Sequence, residues 1–205
     1  MEQFNGVKLI GDVRDISKSG FILSTTNVSA AGDEYTEHIP IVLAAKAQPA
    51  WLKAGVKAGV KGNLVHKGDA QMVSALSITE QPEDAEYLNV ARLIGQVRFP
   101  FQYWSKSEGK QPFGNLAIGV AKAVFRSVLF GALATTFSRI VKRGQTVQVQ
   151  GFLRNRSFDT RAGGRKTALE IIADPDWCEI LSAGEDEFSD FENADLAGDG
   201  NAPAF

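Results

Sequence analysis

Residues 144–166 read GQTVQVQGFLRNRSFDTRAGGRK. As a strand of period two, the stretch divides into two unlike faces. Val147, Val149, Gly151 and Leu153 share one side, which suits a barrel interior. Gln148, Gln150, Phe152, Arg154, Arg156 and Phe158 share the other. Solubility alone does not call for two aromatic rings set around two arginines. Guanidinium groups bind phosphate and stack, and an aromatic ring offers a base a platform. The strand then enters a Gly163-Gly164 loop carrying Arg161, Arg165 and Lys166, a basic arm able to fold over a nucleic-acid backbone.

Working outward, the same order of elements occurs twice. Strands are predicted over residues 7–14, 20–26, 38–43, 60–65 and 72–78, with a short helix over 49–55 between the third and fourth. Pro40 favours an edge or an end of its strand. An acidic linker over 79–86 follows. Strands then recur over 88–98, 115–120, 125–131, 145–158 and 167–172, and a helix is marked by Leu133, Phe137, Ile140 and Val141 and stopped by Gly144. Leu-Ile-Gly-x-Val-Arg opens both halves, at Leu9 and at Leu93. Two five-strand units, each with a helix after strand three, predict an all-β chain with short helices. Its architecture is two tandem five-stranded oligonucleotide/oligosaccharide-binding (OB) barrels.

The 205 residues carry a net charge of −2, which hides a partition. Residues 1–87 hold 8 Lys/Arg and 11 Asp/Glu (−3), residues 88–182 hold 14 and 6 (+8), and residues 183–205 hold 0 and 7 (−7). A basic body with an acidic tail points to a polyanion ligand. The tail is of low complexity and reads as disordered. With one cysteine, Cys178, there is no internal disulfide. His38 and His66 are isolated, Asp12 and Asp15 form no acid/base pair, and no nucleophile triad, phosphate loop or metal-ligand spacing occurs. A non-enzymatic protein without metal or cofactor is expected. No run of membrane-spanning length and no signal peptide is visible, so a cytoplasmic, nucleoid-associated location without membrane contact is expected.

Residues 88–181 resemble the OB domain of bacterial and phage single-stranded DNA-binding proteins. The resemblance rests on Leu93-Ile-Gly, Asn115-Leu-Ala-Ile, Arg126-Ser-Val-Leu-Phe-Gly-Ala-Leu, the run from Lys142 to Phe158, and Leu169-Glu-Ile-Ile-Ala-Asp. It implies base stacking by Phe130 and Phe158 and phosphate contacts by Arg154 and Arg156. Arg126, Phe152, Arg161, Arg165 and Lys166 complete the basic and aromatic set. Many family members carry a tryptophan where this chain has Val124, and Tyr103 or Trp104 is placed to replace that platform. Family tails end in acidic residues followed by Ile-Pro-Phe and dock replication and repair partners. Here Glu185, Asp186, Glu187, Asp190, Pro203 and Phe205 are the corresponding residues, with the acidic block set back from the tip.

The expected organisation is a divergent structural or dimerising barrel over 1–80, a DNA-binding barrel over 88–182 and a tail over 183–205. The expected function is to coat single-stranded DNA without sequence specificity in replication, recombination or repair, as a homodimer that recruits proteins through the tail. An RNA-binding OB protein and a primosome or recombination adaptor are the alternatives.

Overall fold

The computed structural model describes residues 2–28, 32–43, 48–67, 70–105, 111–159 and 165–182. The chain runs β1 (Phe4–Ser17), β2 (Gly20–Val28), β3 (Glu34–Leu43), β4 (Lys57–Lys67), β5 (Ala70–Glu80), β6 (Leu88–Val97), β7 (Gln102–Trp104), β8 (Phe113–Val120), β9 (Ala123–Phe130), α1 (Gly131–Ile140), β10 (Thr146–Asp159) and β11 (Arg165–Ser182). The fold is all-β, with one helix among the described residues.

Pairing closes the strands into two barrels of the same connectivity. β1 pairs with β2 and β4, β2 with β3, β4 with β5, and β3 runs parallel to β5. In the second half β6 pairs with β8 and β10, β8 with β9, β10 with β11, and β9 runs parallel to β11. β7 is a three-residue fringe on β8. Alternation fills each barrel: Leu9, Leu23, Ile39 and Val73 in the first, and Leu93, Ile118, Leu153 and Ile171 in the second, are fully buried. Each such side chain contributes about 1.5–3 kcal/mol by leaving water.

The repeat reaches individual hydrogen bonds. Asn5 Nδ2 donates to the Leu64 carbonyl (2.8 Å) while the Leu64 N–H donates to Asn5 Oδ1 (2.9 Å). Asn89 and Leu153 make the same two bonds at 2.8 and 2.9 Å. Both fourth strands carry a register shift beside a glycine, at Gly62 and Gly151. Neither position has room for a side chain: a Cβ would lie 2.2 Å from the Ser74 carbonyl oxygen and 1.9 Å from that of Ile172.

The barrels are joined by antiparallel pairing of β1 with β6, making one eleven-stranded sheet. Val7 and Ala91 occupy equivalent places, two residues before the Leu-Ile-Gly of each half, and they face each other in the register. The seam is therefore built about a pseudo-two-fold axis. Further contacts lock it. Tyr35 and Phe152 lie 6.0 Å apart, the His66 ring stacks on Phe125 at 5.4 Å, and the Asn155 N–H donates to Glu37 Oε2 at 2.9 Å. Burial pushes the Glu37 carboxyl above the usual carboxylate range, against the opposing effects of the Asn155 N–H and of Arg154. The linker is also tied down: Lys57 Nζ donates to the carbonyls of Glu83 (2.7 Å) and Ala85 (2.8 Å), and Tyr87 donates to Asp12 (2.9 Å).

The helix expected over 49–55 is instead a pair of turns. The Gly55 N–H donates to the Val13 carbonyl and the Val13 N–H to that of Val56, so β1 captures this backbone before a helix can propagate. Leu52, 4% exposed, plugs the barrel from that turn. Pro40 lies inside β3 rather than at its end. β5 pairs with β3 only over Ile41–Leu43, so the missing N–H at Pro40 leaves no ladder bond unmade on that side. β11 runs ten residues past the expected end at 172, reaching Ser182. The tail over 183–205 lies outside the described residues.

Candidate nucleic-acid interface

The two faces of β10 separate largely as the alternation predicts. Val147, Val149 and Leu153 are fully buried in the barrel. Phe152, Arg154 and Arg156 are half-buried on the outer side. Gln148 departs from the pattern, because it accepts a hydrogen bond from Arg92 at 2.5 Å and is only 8% exposed.

Beside the arginines lies a row of aromatic rings carried across three strands. Trp104 of β7 pairs with Phe113 of β8, and Phe113 pairs with Phe130 of β9. Trp104 and Phe113 stack with centroids 4.9 Å apart and planes 13° apart, and Phe113 and Phe130 are 6.3 Å apart and tilted by 38°. Between this row and β10 opens a cleft of about 270 Å³ lined by Phe113, Asn115, Val128, Phe130, Arg154, Arg156 and Glu170. Glu170 of β11 is 1% exposed, with Oε1 3.2 Å from Arg156 Nη2 and 3.9 Å from Arg126 Nη1. The cleft thus has apolar rings on one wall, cations on the other and one carboxylate in its floor. That arrangement suits a chain of flat bases joined by phosphates.

Of the residues expected from sequence, Phe130, Arg154 and Arg156 line the cleft, Arg126 joins them through Glu170, and Trp104 stacks behind Phe113. Tyr103 does not reach it: its hydroxyl shares a hydrogen bond with Thr135 of α1 at 3.2 Å and its ring packs on the core. Phe152 is also elsewhere, against Tyr35 at the seam. Backbone pairing of Phe158 with Lys166 and of Asp159 with Arg165 puts these at the outer end of the β10–β11 hairpin. The side chains of Phe158, Arg165 and Lys166, and the whole of Arg161, Glu185, Asp186, Glu187, Asp190, Pro203 and Phe205, lie outside the described residues.

Residues 119–179 match the single-strand binding protein family. The resemblance drawn from β10 and its neighbours is thereby shown over that span. The chain is similar in structure to the wild-type single-stranded DNA binding protein from Thermus aquaticus, with a TM-score of 0.74 and 17% identity over 90% of this chain and 96% of that one. A deletion variant of the same Thermus aquaticus protein aligns with a TM-score of 0.70 and 18% identity, covering 90% of this chain and 98% of that one. At such identities the likeness shows the fold, here extending through both barrels. No curated protein matches the chain.

Phe113, Asn115, Val128 and Glu170 belong to the cleft and were not expected from sequence. Starting the second strand of that barrel at Asn115 puts Phe113 in a loop, whereas period-two alternation carried back from Asn115 places its ring on the same face. Glu170 alternates between Leu169 and Ile171, which marks an outward position on a strand paired with the arginines. Burial pushes the Cys178 thiol up to about 12, and its Sγ donates to the Asp174 carbonyl at 3.2 Å. Among the described residues no His/Cys/Asp/Glu group is arranged to hold a metal, and no helix is long and apolar enough to cross a membrane.

Proposed function

We propose that the second barrel binds single-stranded DNA without sequence specificity and shields it during replication, recombination or repair. The observation that carries this reading is the cleft, where the Trp104–Phe113–Phe130 row faces Arg154 and Arg156. Stacking on rings tolerates any base, and guanidinium–phosphate contacts supply salt-dependent affinity. The family match over β9–β11 and the single-stranded DNA binding protein of like fold support the same ligand. The division of labour follows from charge: 88–182 holds the DNA, 1–80 supplies a structural and dimerising barrel, and the acidic tail over 183–205 recruits partner proteins.

Pairing of two chains is part of this reading. A groove of about 360 Å³ straddles the seam and carries Phe4 and Leu76, 46% and 58% exposed, beside Lys8, Lys61 and Arg92. Its place on the pseudo-two-fold axis suits a second copy of the same chain. Light scattering of Leu76→Glu should then show a smaller particle than wild type.

Binding to single-stranded DNA, duplex DNA and RNA of one length at two salt concentrations tests the ligand. Preference for single-stranded DNA, weakening with salt, is the expected result. Equal affinity for duplex rejects it, and preference for RNA moves the ligand to the RNA class.

A further inference from the structure

Among the described residues lining the cleft Glu170 is the one carboxylate, and it is almost fully buried. Neither of its oxygens has a hydrogen-bond partner among the described residues, so ion pairs to Arg156 and Arg126 hold it. Burying a carboxylate is costly, and a fold seldom keeps one for stability alone.

The first barrel shows that the architecture does not require it. Leu64 and Leu153 are equivalent through their shared asparagine bonds, so Arg154 and Arg156 correspond to Val65 and Lys67. Leu64 pairs with Val73 as Leu153 pairs with Ile171, so Glu170 corresponds to Met72. Ile41 pairs with Val73 as Ser127 pairs with Ile171, so Arg126 corresponds to Pro40. Where one barrel has Pro40, Lys67 and Met72, the other places Arg126, Arg156 and Glu170 in the same three positions. The position of Arg156 is basic in both barrels, whereas the buried carboxylate and the second arginine paired with it occur only in the barrel that has the cleft.

Building on the proposed function, we propose that Glu170 is a positioning residue that acts as a built-in counter-ion for the DNA-contacting arginines. It draws Arg126 of β9 and Arg156 of β10 to one point, so that before any strand arrives the Arg156 guanidinium lines the cleft and the half-exposed Arg126 stands beside it. The group of two cations and one anion presents a single net positive charge, so it neutralises one fewer phosphate than two unpaired arginines would. Binding therefore releases fewer of the counterions condensed on the DNA, and affinity is less sensitive to salt than the number of arginines implies. Orientation is preserved where screening has weakened Coulomb attraction.

Anisotropy of a labelled oligo(dT), titrated with full-length protein over a range of NaCl concentrations, reads this directly. Glu170→Gln removes the charge and keeps the shape. Its slope of log affinity against log salt should steepen by about 0.7, the value of one additional neutralised phosphate on a single strand. The variant should bind several-fold tighter than wild type at low salt and weaker at high salt, so the two lines cross. Glu170→Asp should restore the wild-type slope. Glu170→Met, which installs the first barrel's residue, should behave as the Gln variant does. An unchanged slope in the Gln variant, with or without a lower melting temperature, overturns the proposal and leaves DNA binding standing. Absence of oligo(dT) binding by the wild-type protein is a separate result that removes the proposed function and this inference together.

Discussion

Phe113 and Phe130 each turn a ring toward the cleft from neighbouring strands, which makes their removal a direct test of stacking. Phe130→Ala and Phe113→Ala should each weaken single-stranded DNA binding by about 1–3 kcal/mol, measured by anisotropy at fixed salt, with little change in melting temperature. Phe152→Ala should instead lower thermal stability more than DNA affinity, because its ring is spent on Tyr35 at the seam. Phe152 shows where reading a strand face stops: alternation assigns a side but not what covers that side. Phe152 and Arg154 share the outer face of β10, yet one meets the first barrel and the other the cleft. Tyr103 and Trp104 are adjacent and both aromatic, but strand pairing sends one toward α1 and the other onto Phe113.

At the scale of elements, the first strand of each barrel is pinned to the fourth by an asparagine that replaces a rung of the ladder. Asn89 is 8% exposed, and its bonds to Leu153 are buried, whereas those of Asn5 to Leu64 are partly accessible. Removing either side chain orphans one N–H and one carbonyl, at about 1–3 kcal/mol per buried group. Asn89→Ala should therefore lower the denaturation midpoint more than Asn5→Ala. Nine of the ten barrel strands sit within four residues of where alternation and turn residues place them, because those signals are local. The tenth, β11, is longer than expected: Asp174, Pro175 and Asp176 look like a stop, but backbone pairing of Cys178–Ser182 with β10 resumes beyond them. The misread helix over 49–55 has the opposite origin, since its local signals are good and a long-range pairing with Val13 overrides them.

At the scale of the whole molecule, charge and fusion set the behaviour. Residues 183–205 carry −7 and are tethered to a barrel region of +8, so the tail can occupy the basic cleft as an intramolecular competitor. Deleting it should raise affinity for single-stranded DNA at low salt, and the gain should fade as screening shortens to about 8–10 Å. Identical binding by full-length and truncated chains at low salt would refute this competition. Between the barrels, the raised carboxyl of Glu37 favours the folded state when protonated, a contribution lost as pH rises through its folded value. Glu37→Gln keeps an oxygen to accept the Asn155 N–H, so it should raise the melting temperature at neutral pH, with the advantage vanishing below the usual carboxylate range. The direct facing of Val7 and Ala91 has a longer reach. In a pair of identical subunits every substitution is made twice, and a change that helps one copy but harms the other cannot be kept. Covalent duplication lifts that constraint while holding the two halves at one-to-one ratio. One half of this chain accordingly carries Arg126, Arg154 and a buried Glu170 where its twin has Pro40, Val65 and Met72, and selection can act on each as though it were a separate gene.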